Sequence, residues 1–80
     1  MQTKEELFGQ LKQVVIMETF SGYEVKKESN FKDDLDLDSL DKVELLMECE
    51  TRFQINIDDE EYEEIETVND LLENIYRKLK

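Results

Sequence analysis

The run Asp36-Leu37-Asp38-Ser39-Leu40-Asp41 sets one hydroxyl among three carboxylates at the point where a helical pattern begins. Asp38 can accept a backbone N–H as an N-cap, which puts Ser39 at the first helical position. A serine there turns its hydroxyl to the surface, beside backbone donors that have no intrahelical acceptor. Hydrolytic chemistry is not available to it. The chain has no histidine, so Ser39 lacks an imidazole base to activate it. The chemistry left to this hydroxyl is that of an acceptor, modified by a separate enzyme. Taken alone, a serine at a helix start is a capping residue, and that simpler reading competes until more of the chain is considered.

The elements that would position Ser39 follow from apolar spacing. Thr3-Lys4-Glu5-Glu6 forms a capping box, and Leu7, Leu11, Val14 and Val15 continue at helical intervals. The first helix is expected to reach about Thr19 and to end at Ser21-Gly22. Residues 22–38 then make a long connection anchored by Tyr23, Val25, Phe31, Leu35 and Leu37, with Phe31 and Leu35 as its main pins. A connection of that length in a small domain is pinned or functional. The second helix is predicted over residues 39–53. Ile55-Asn56-Ile57 alternates like a short extended piece that lacks a partner strand. Asp58 or Asp59 caps a short acidic helix through Glu64. Thr67-Val68-Asn69-Asp70 opens the last helix, whose buried stripe is Val68, Leu71, Leu72, Ile75 and Leu79. The expected fold is all-α: a small bundle of three main helices plus one short one, in a single domain spanning 1–80.

Composition narrows the function. Eighty residues with 39% apolar content support one modest core. The net charge is −12, and residues 33–66 hold fifteen Asp or Glu against Lys42 and Arg52. Phosphate-directed binding of nucleic acid requires the opposite sign, and so does attraction to anionic membranes. A field of this sign favours partners with basic patches and speeds their encounter. Acids that merely keep a small protein soluble are the plainer alternative. No apolar run is long enough to span a bilayer, and the first residues lack the basic-then-apolar pattern of a secretory signal. The single cysteine, Cys49, has no partner for an internal disulfide and reads as a small buried hydrophobe. These features suggest an intracellular, cytoplasmic protein, and self-repulsion suggests a monomer.

The second helix carries two apolar groups. At about 100° per residue, Leu45, Leu46, Cys49 and Phe53 fall on one side, whereas Leu40, Val43 and Met47 fall roughly opposite. The first group is the better core stripe. The second is then exposed among Asp41, Glu44, Glu48 and Glu50, which describes a docking surface. The alternative, a central helix buried all round, conflicts with so many acids on it. Met47 suits a surface that meets several partners, because its side chain repacks easily.

A divalent-cation reading also has to be weighed. Asp34, Asp36 and Asp38 alternate as in an EF-hand loop, yet the sixth position is Ser39 instead of Gly and the twelfth is Leu45 instead of Glu. A dedicated calcium loop is not supported, although loose binding of Ca²⁺ or Mg²⁺ to the acids is compatible with the composition. Zinc is disfavoured by the lack of histidine and of a second cysteine.

The segment from Phe31 to Leu45, with Phe-x-Asp-Asp-Leu before Asp-Ser-Leu-Asp-x-Val-Glu, resembles the acyl carrier proteins around their attachment serine. The likeness continues through Phe53, Ile55, Ile57, Asp58-Asp59-Glu60 and Thr67-Val68. It implies a four-helix bundle with a long first loop. It implies that Ser39 receives 4′-phosphopantetheine from coenzyme A through a Mg²⁺-dependent phosphopantetheinyl transferase, with Asp38 and Leu40 flanking the site. It implies that Asp41, Val43, Glu44, Met47 and Glu50 meet basic docking patches on fatty-acid synthase enzymes. An acyl chain sheltered between helices would face Phe31, Leu45, Leu46, Cys49, Ile57, Tyr62, Ile65, Leu71 and Ile75. Carriers for polyketide, peptide or lipid-modification pathways share the attachment chemistry and form the alternative within the family. Three positions depart from the usual pattern. Asp58 stands where proline is common, Tyr62 where a small residue is common, and Thr51 where an acid is common.

The charge excess has a direct consequence for stability. Raising ionic strength to about 0.15 M shortens the reach of the repulsion to about 8 Å. Thermal melts at increasing salt should therefore give a rising Tm, and a falling one would contradict the repulsion argument.

Overall fold

The computed structural model describes residues 3–19 and 24–79. Four helices are present among them: α1 (Lys4–Thr19), α2 (Ser39–Phe53), α3 (Asp59–Glu64) and α4 (Val68–Leu79). The all-α bundle with a long first connection is thus borne out. The expected stop at Ser21-Gly22 and the Tyr23 anchor lie outside the described residues.

Helix starts obey the capping chemistry in the sequence. The Glu6 amide donates to Thr3 Oγ1 at 3.1 Å, and the Thr3 amide donates to Glu6 Oε1 at 2.9 Å. The Asp70 amide donates to Thr67 Oγ1 at 3.1 Å, while the Asp70 carboxylate accepts the amides of Glu66 and Thr67 at 3.0 and 3.1 Å. Helix α2 ends at Gln54, whose left-handed backbone (φ 55°) lets its N–H close on the Glu50 carbonyl.

One core unites the elements. Leu7, Leu11, Val14 and Val15 from α1 pack with Leu45, Leu46, Cys49 and Phe53 from α2 and with Val68, Leu71, Leu72 and Ile75 from α4. The expected core face of α2 is the buried one. In α4, Leu79 is 40% exposed, so the stripe ends at Ile75. Asn74 takes a buried place instead, with its amide nitrogen donating to Glu61 Oε2 at 3.3 Å. Residues 55–57 form no strand; Ile57 is buried and Ile55 half-buried beside the core.

The long connection is fixed by more than its apolar pins. Val25, Phe31, Leu35 and Leu37 are all buried. In addition, Asn30 and Thr67 form an antiparallel β-bridge. The Phe31 amide donates to the Glu66 carbonyl at 2.9 Å, and the Val68 amide donates to the Ser29 carbonyl at 2.9 Å. The connection is therefore stitched by backbone to the entrance of α4. Asp36 sits between two buried leucines with φ 57°, a conformation that Asp tolerates better than most residues.

Helix α3 is held differently. None of its six residues is buried. Lys78 Nζ donates to the Asn56 carbonyl at 2.6 Å and pairs with Glu61 Oε2 at 2.8 Å, tying the end of α4 to the start of α3. The hydrogen bond from Lys78 is the main cause holding the Glu61 carboxyl below its ordinary value of 4.5, with help from Asn74. A carboxylate whose folded pKa is depressed stabilises the fold above its unfolded value, and that contribution is lost as pH falls through the folded value. Urea titrations from neutral pH down to about pH 3 should show less acid-side loss in Lys78→Met than in the parent. An identical slope in both proteins would remove this clasp from the account.

Candidate functional site

The position of Ser39 follows from what brackets it. On one side Leu37 is buried, and its amide donates to the Phe31 carbonyl at 2.8 Å. On the other side Asp38 is an extended N-cap whose Oδ1 accepts the Asp41 amide at 2.8 Å. The Asp38 amide donates back to Asp41 Oδ2 at 3.4 Å. This capping box stops the loop and starts the helix at one residue. With Leu37 turned into the core, Asp38, Ser39 and Leu40 are all exposed. Leu40 is 64% exposed, far beyond what a helix needs for packing.

Two hollows adjoin the serine. A cleft of about 540 Å³ includes Phe31, Lys32, Asp38, Ser39, Lys42 and Glu66 in its wall. A smaller, mostly apolar slot of about 180 Å³ is lined by Ser39, Lys42, Val43, Leu46, Tyr62 and Glu63, between α2 and α3. Lys42 borders both hollows. It is one of only two cations in the acidic span 33–66. Its i+3 spacing places it on the same side of α2 as Ser39.

Of the residues expected around Ser39, some are exposed and some are not. Asp41, Glu44 and Met47 are exposed, Met47 at 55%. Two expectations need correction. Val43 is half-buried, because it forms a wall of the slot. Glu50 is not a free surface acid: its Oε2 accepts the Ile57 amide at 3.0 Å and its Oε1 accepts the Tyr62 hydroxyl at 2.8 Å. Helical angle alone placed Glu50 beside the exposed group. It could not reveal that the chain folds back after Phe53 and delivers two donors to that carboxylate. Burial, and then this hydrogen bond, push the Tyr62 hydroxyl up to about 12.

The acids that suggested calcium have other tasks. Asp34 Oδ2 accepts the Asn30 amide at 2.7 Å, and Asp38 is the helix cap. Among the described residues, no three Asp, Glu, His or Cys side chains are grouped to hold a metal ion. Cys49 is fully buried in the core, and that burial, reinforced by Glu48, pushes its thiol up to about 12. A thiol held protonated and sealed from solvent is no nucleophile.

Known proteins match this arrangement over most of its length. A family model described as a phosphopantetheine attachment site matches residues 15–75. The chain is 43% identical over 79 residues to an acyl carrier protein of Chloroherpeton thalassium, covering 98% of this chain and 99% of that one. It is 47% identical over 70 residues to an acyl carrier protein of Wolinella succinogenes, covering 86% of this chain and 92% of that one. Its fold superposes on the crystal structure of an acyl carrier protein from Thermotoga maritima with a TM-score of 0.81 and 31% identity, covering 95% of this chain and 89% of that one. A capped serine presented at the head of α2, the four-helix fold and nearly full-length relatives lead to one conclusion: the chain belongs to the acyl carrier protein family, whose prosthetic group is 4′-phosphopantetheine.

Proposed function

We propose that Ser39 is the attachment residue and that the chain serves type II fatty-acid synthesis as a discrete carrier, a single domain acting as a monomer in the cytoplasm. The observation that carries this is the serine's setting: an exposed hydroxyl at the first position of α2, fixed by the Asp38–Asp41 capping box and open to a cleft.

The residues present fit the prosthetic group. Its phosphate would lie at the head of α2, where the helix dipole is positive and the first amides lack intrahelical acceptors. Lys32 and Lys42 in the cleft wall offset the surrounding acids. When bound, the group supplies a terminal thiol that holds acyl groups as thioesters. The chain itself performs no catalysis in this reading. It has no histidine, and its one thiol is sealed in the core. Its work is presentation: tethering raises the local concentration of cargo at whichever enzyme is docked.

Asp38 and Leu40 flank the serine for a phosphopantetheinyl transferase, and the exposed Leu40 supplies the apolar contact. Asp41, Glu44 and Met47, with the edge of Val43, form the docking face for synthase enzymes that carry basic patches. Glu50 supports this face from beneath through Tyr62 and Ile57, without pointing outward. Long-range attraction gives fast encounter without tight binding, which a carrier visiting successive enzymes requires. The same charge disfavours nucleic acid and anionic membrane as partners, and no helix among the described residues is long and apolar enough to cross a membrane.

Incubation with coenzyme A, Mg²⁺ and a broad-specificity phosphopantetheinyl transferase should add one phosphopantetheine by intact mass. The Ser39→Ala protein should keep its helical circular dichroism and gain nothing. A folded parent that stays unmodified would refute the carrier reading. In reconstituted chain elongation, Glu44→Lys should raise the apparent KM for the loaded carrier about tenfold, on the order of 1.4 kcal/mol, with the melting curve little changed. Met47→Ala should raise it several-fold, and unchanged kinetics in both would relocate the docking face.

A further inference from the structure

Ser39, Val43, Leu46 and Glu50 lie along one stripe of α2, within about 60° of one another around the helix axis. At 1.5 Å per residue, Leu46 stands about 10 Å below Ser39 and Glu50 about 16 Å below it. The apolar slot of about 180 Å³ follows the upper part of this stripe, with Val43 and Leu46 on the α2 side. Leu46 is fully buried at its base. Tyr62 forms the α3 side of the slot, and its hydroxyl crosses to Glu50, one turn beneath Leu46, at 2.8 Å. The ring therefore bridges α3 to α2 at the bottom of the slot. Cys49 and Ile57, which flank Glu50, are 0% and 5% exposed, so the helix seam is closed to solvent at that level. Glu50 is itself held by the Ile57 amide at 3.0 Å, which fixes the acceptor that the hydroxyl must reach.

We propose that Tyr62 is the stop that limits how long an aliphatic chain this carrier can shelter, and that Glu50 is the residue that positions it. The inference rests on the carrier reading, and it concerns what the chain holds rather than where the arm is attached. Short saturated acyl groups fit between Val43, Leu46 and the ring. Longer ones meet the ring and must either displace it from Glu50 or leave their distal methylenes in solvent. The bond that resists displacement is charge-assisted, which makes it stronger than a neutral hydrogen bond. A residue that merely braced α3 would affect all cargo alike. A stop produces a dependence on chain length.

The test compares the parent, Tyr62→Phe and Tyr62→Ala, each carrying phosphopantetheine alone or loaded with butyryl, octanoyl or lauroyl groups. Tm and the rate of thioester cleavage by hydroxylamine are read for every form. In the parent, Tm should rise with the butyryl group and then level off, and the lauroyl thioester should be cleaved about as fast as a free one. In Tyr62→Ala, Tm should keep climbing, so that the lauroyl form exceeds the butyryl form by roughly 5 °C or more. Its thioester should also be cleaved several-fold more slowly. Tyr62→Phe keeps the ring but frees it from Glu50, and should fall between the two. It also decides the matter if Tyr62→Ala folds poorly. A parent whose Tm climbs through lauroyl in parallel with both variants would overturn the stop. A Tyr62→Phe protein identical to the parent would overturn the role of Glu50. Failure of Ser39 to take the arm at all, seen by mass before any loading, would instead overturn the carrier reading and this inference with it.

Discussion

The reciprocal hydrogen bonds between Asp38 and Asp41 are the constraint on which the functional side of this molecule depends. They convert an extended loop into a helix within one residue. Leu37 before the junction is held in the core, so the three residues after it face outward. A helix that began one residue earlier or later would rotate its contents by about 100°. Ser39 would then leave the mouth of the cleft, and Leu45, Leu46, Cys49 and Phe53, which keep their spacing on the helix, would turn away from the core together. One capping box thus sets both the presentation of the hydroxyl and the register of the buried stripe. Loss of such a cap ordinarily costs about 1 kcal/mol, yet here its geometric consequence exceeds its energetic one.

Charge and packing are divided between opposite faces of α2. The inner stripe is apolar and closed, and the outer one carries acids with exposed Leu40 and Met47 among them. Ion pairs do little to relieve the excess. Lys4 pairs with Glu73, Lys27 with Glu5 and Lys78 with Glu61, all involving α1, α3 or α4 or the first connection. The pair on α2 is Arg52 with Glu48, at 3.6 Å near the far end of the helix from Ser39. Such exposed pairs contribute little individually. Arg52 with Glu48 aside, these pairs lie away from the acids of α2.

Much of this was legible in the sequence because the signals were local. Thr3 with Glu6, Thr67 with Asp70, and the spacing of Leu45, Leu46, Cys49 and Phe53 each report on residues within a turn or two, and each reads correctly. The place of Ser39 as the first residue of α2 was legible for the same reason. What escaped depends on contacts between segments distant in the chain. The β-bridge of Asn30 with Thr67 joins two loops that no periodicity connects. Glu50 looked like a surface acid until Tyr62 and Ile57 were brought to it from across a turn. Asn74 interrupts an apolar stripe and is buried because Glu61, on another helix, accepts its amide. Glu50 was misread because its partners are remote in the chain, and Leu79 and Val43 because helical spacing alone does not say where a stripe ends or where a neighbouring helix covers it.

The four helices are not anchored alike. Helices α1, α2 and α4 each contribute a full apolar stripe to the core, and together they make a frame. Helix α3 contributes no buried residue and is strung between two buried isoleucines, Ile57 and Ile65. Side-chain bonds from Glu50 and Lys78 steady it on either flank, both of them charge-assisted. Lifting this segment would uncover the half-buried Tyr62 and the slot it walls, so its hold rests on those polar bonds and that one ring. Helix α3 is thus the element held least by burial, and it walls the side of the bundle where the slot beside Ser39 opens.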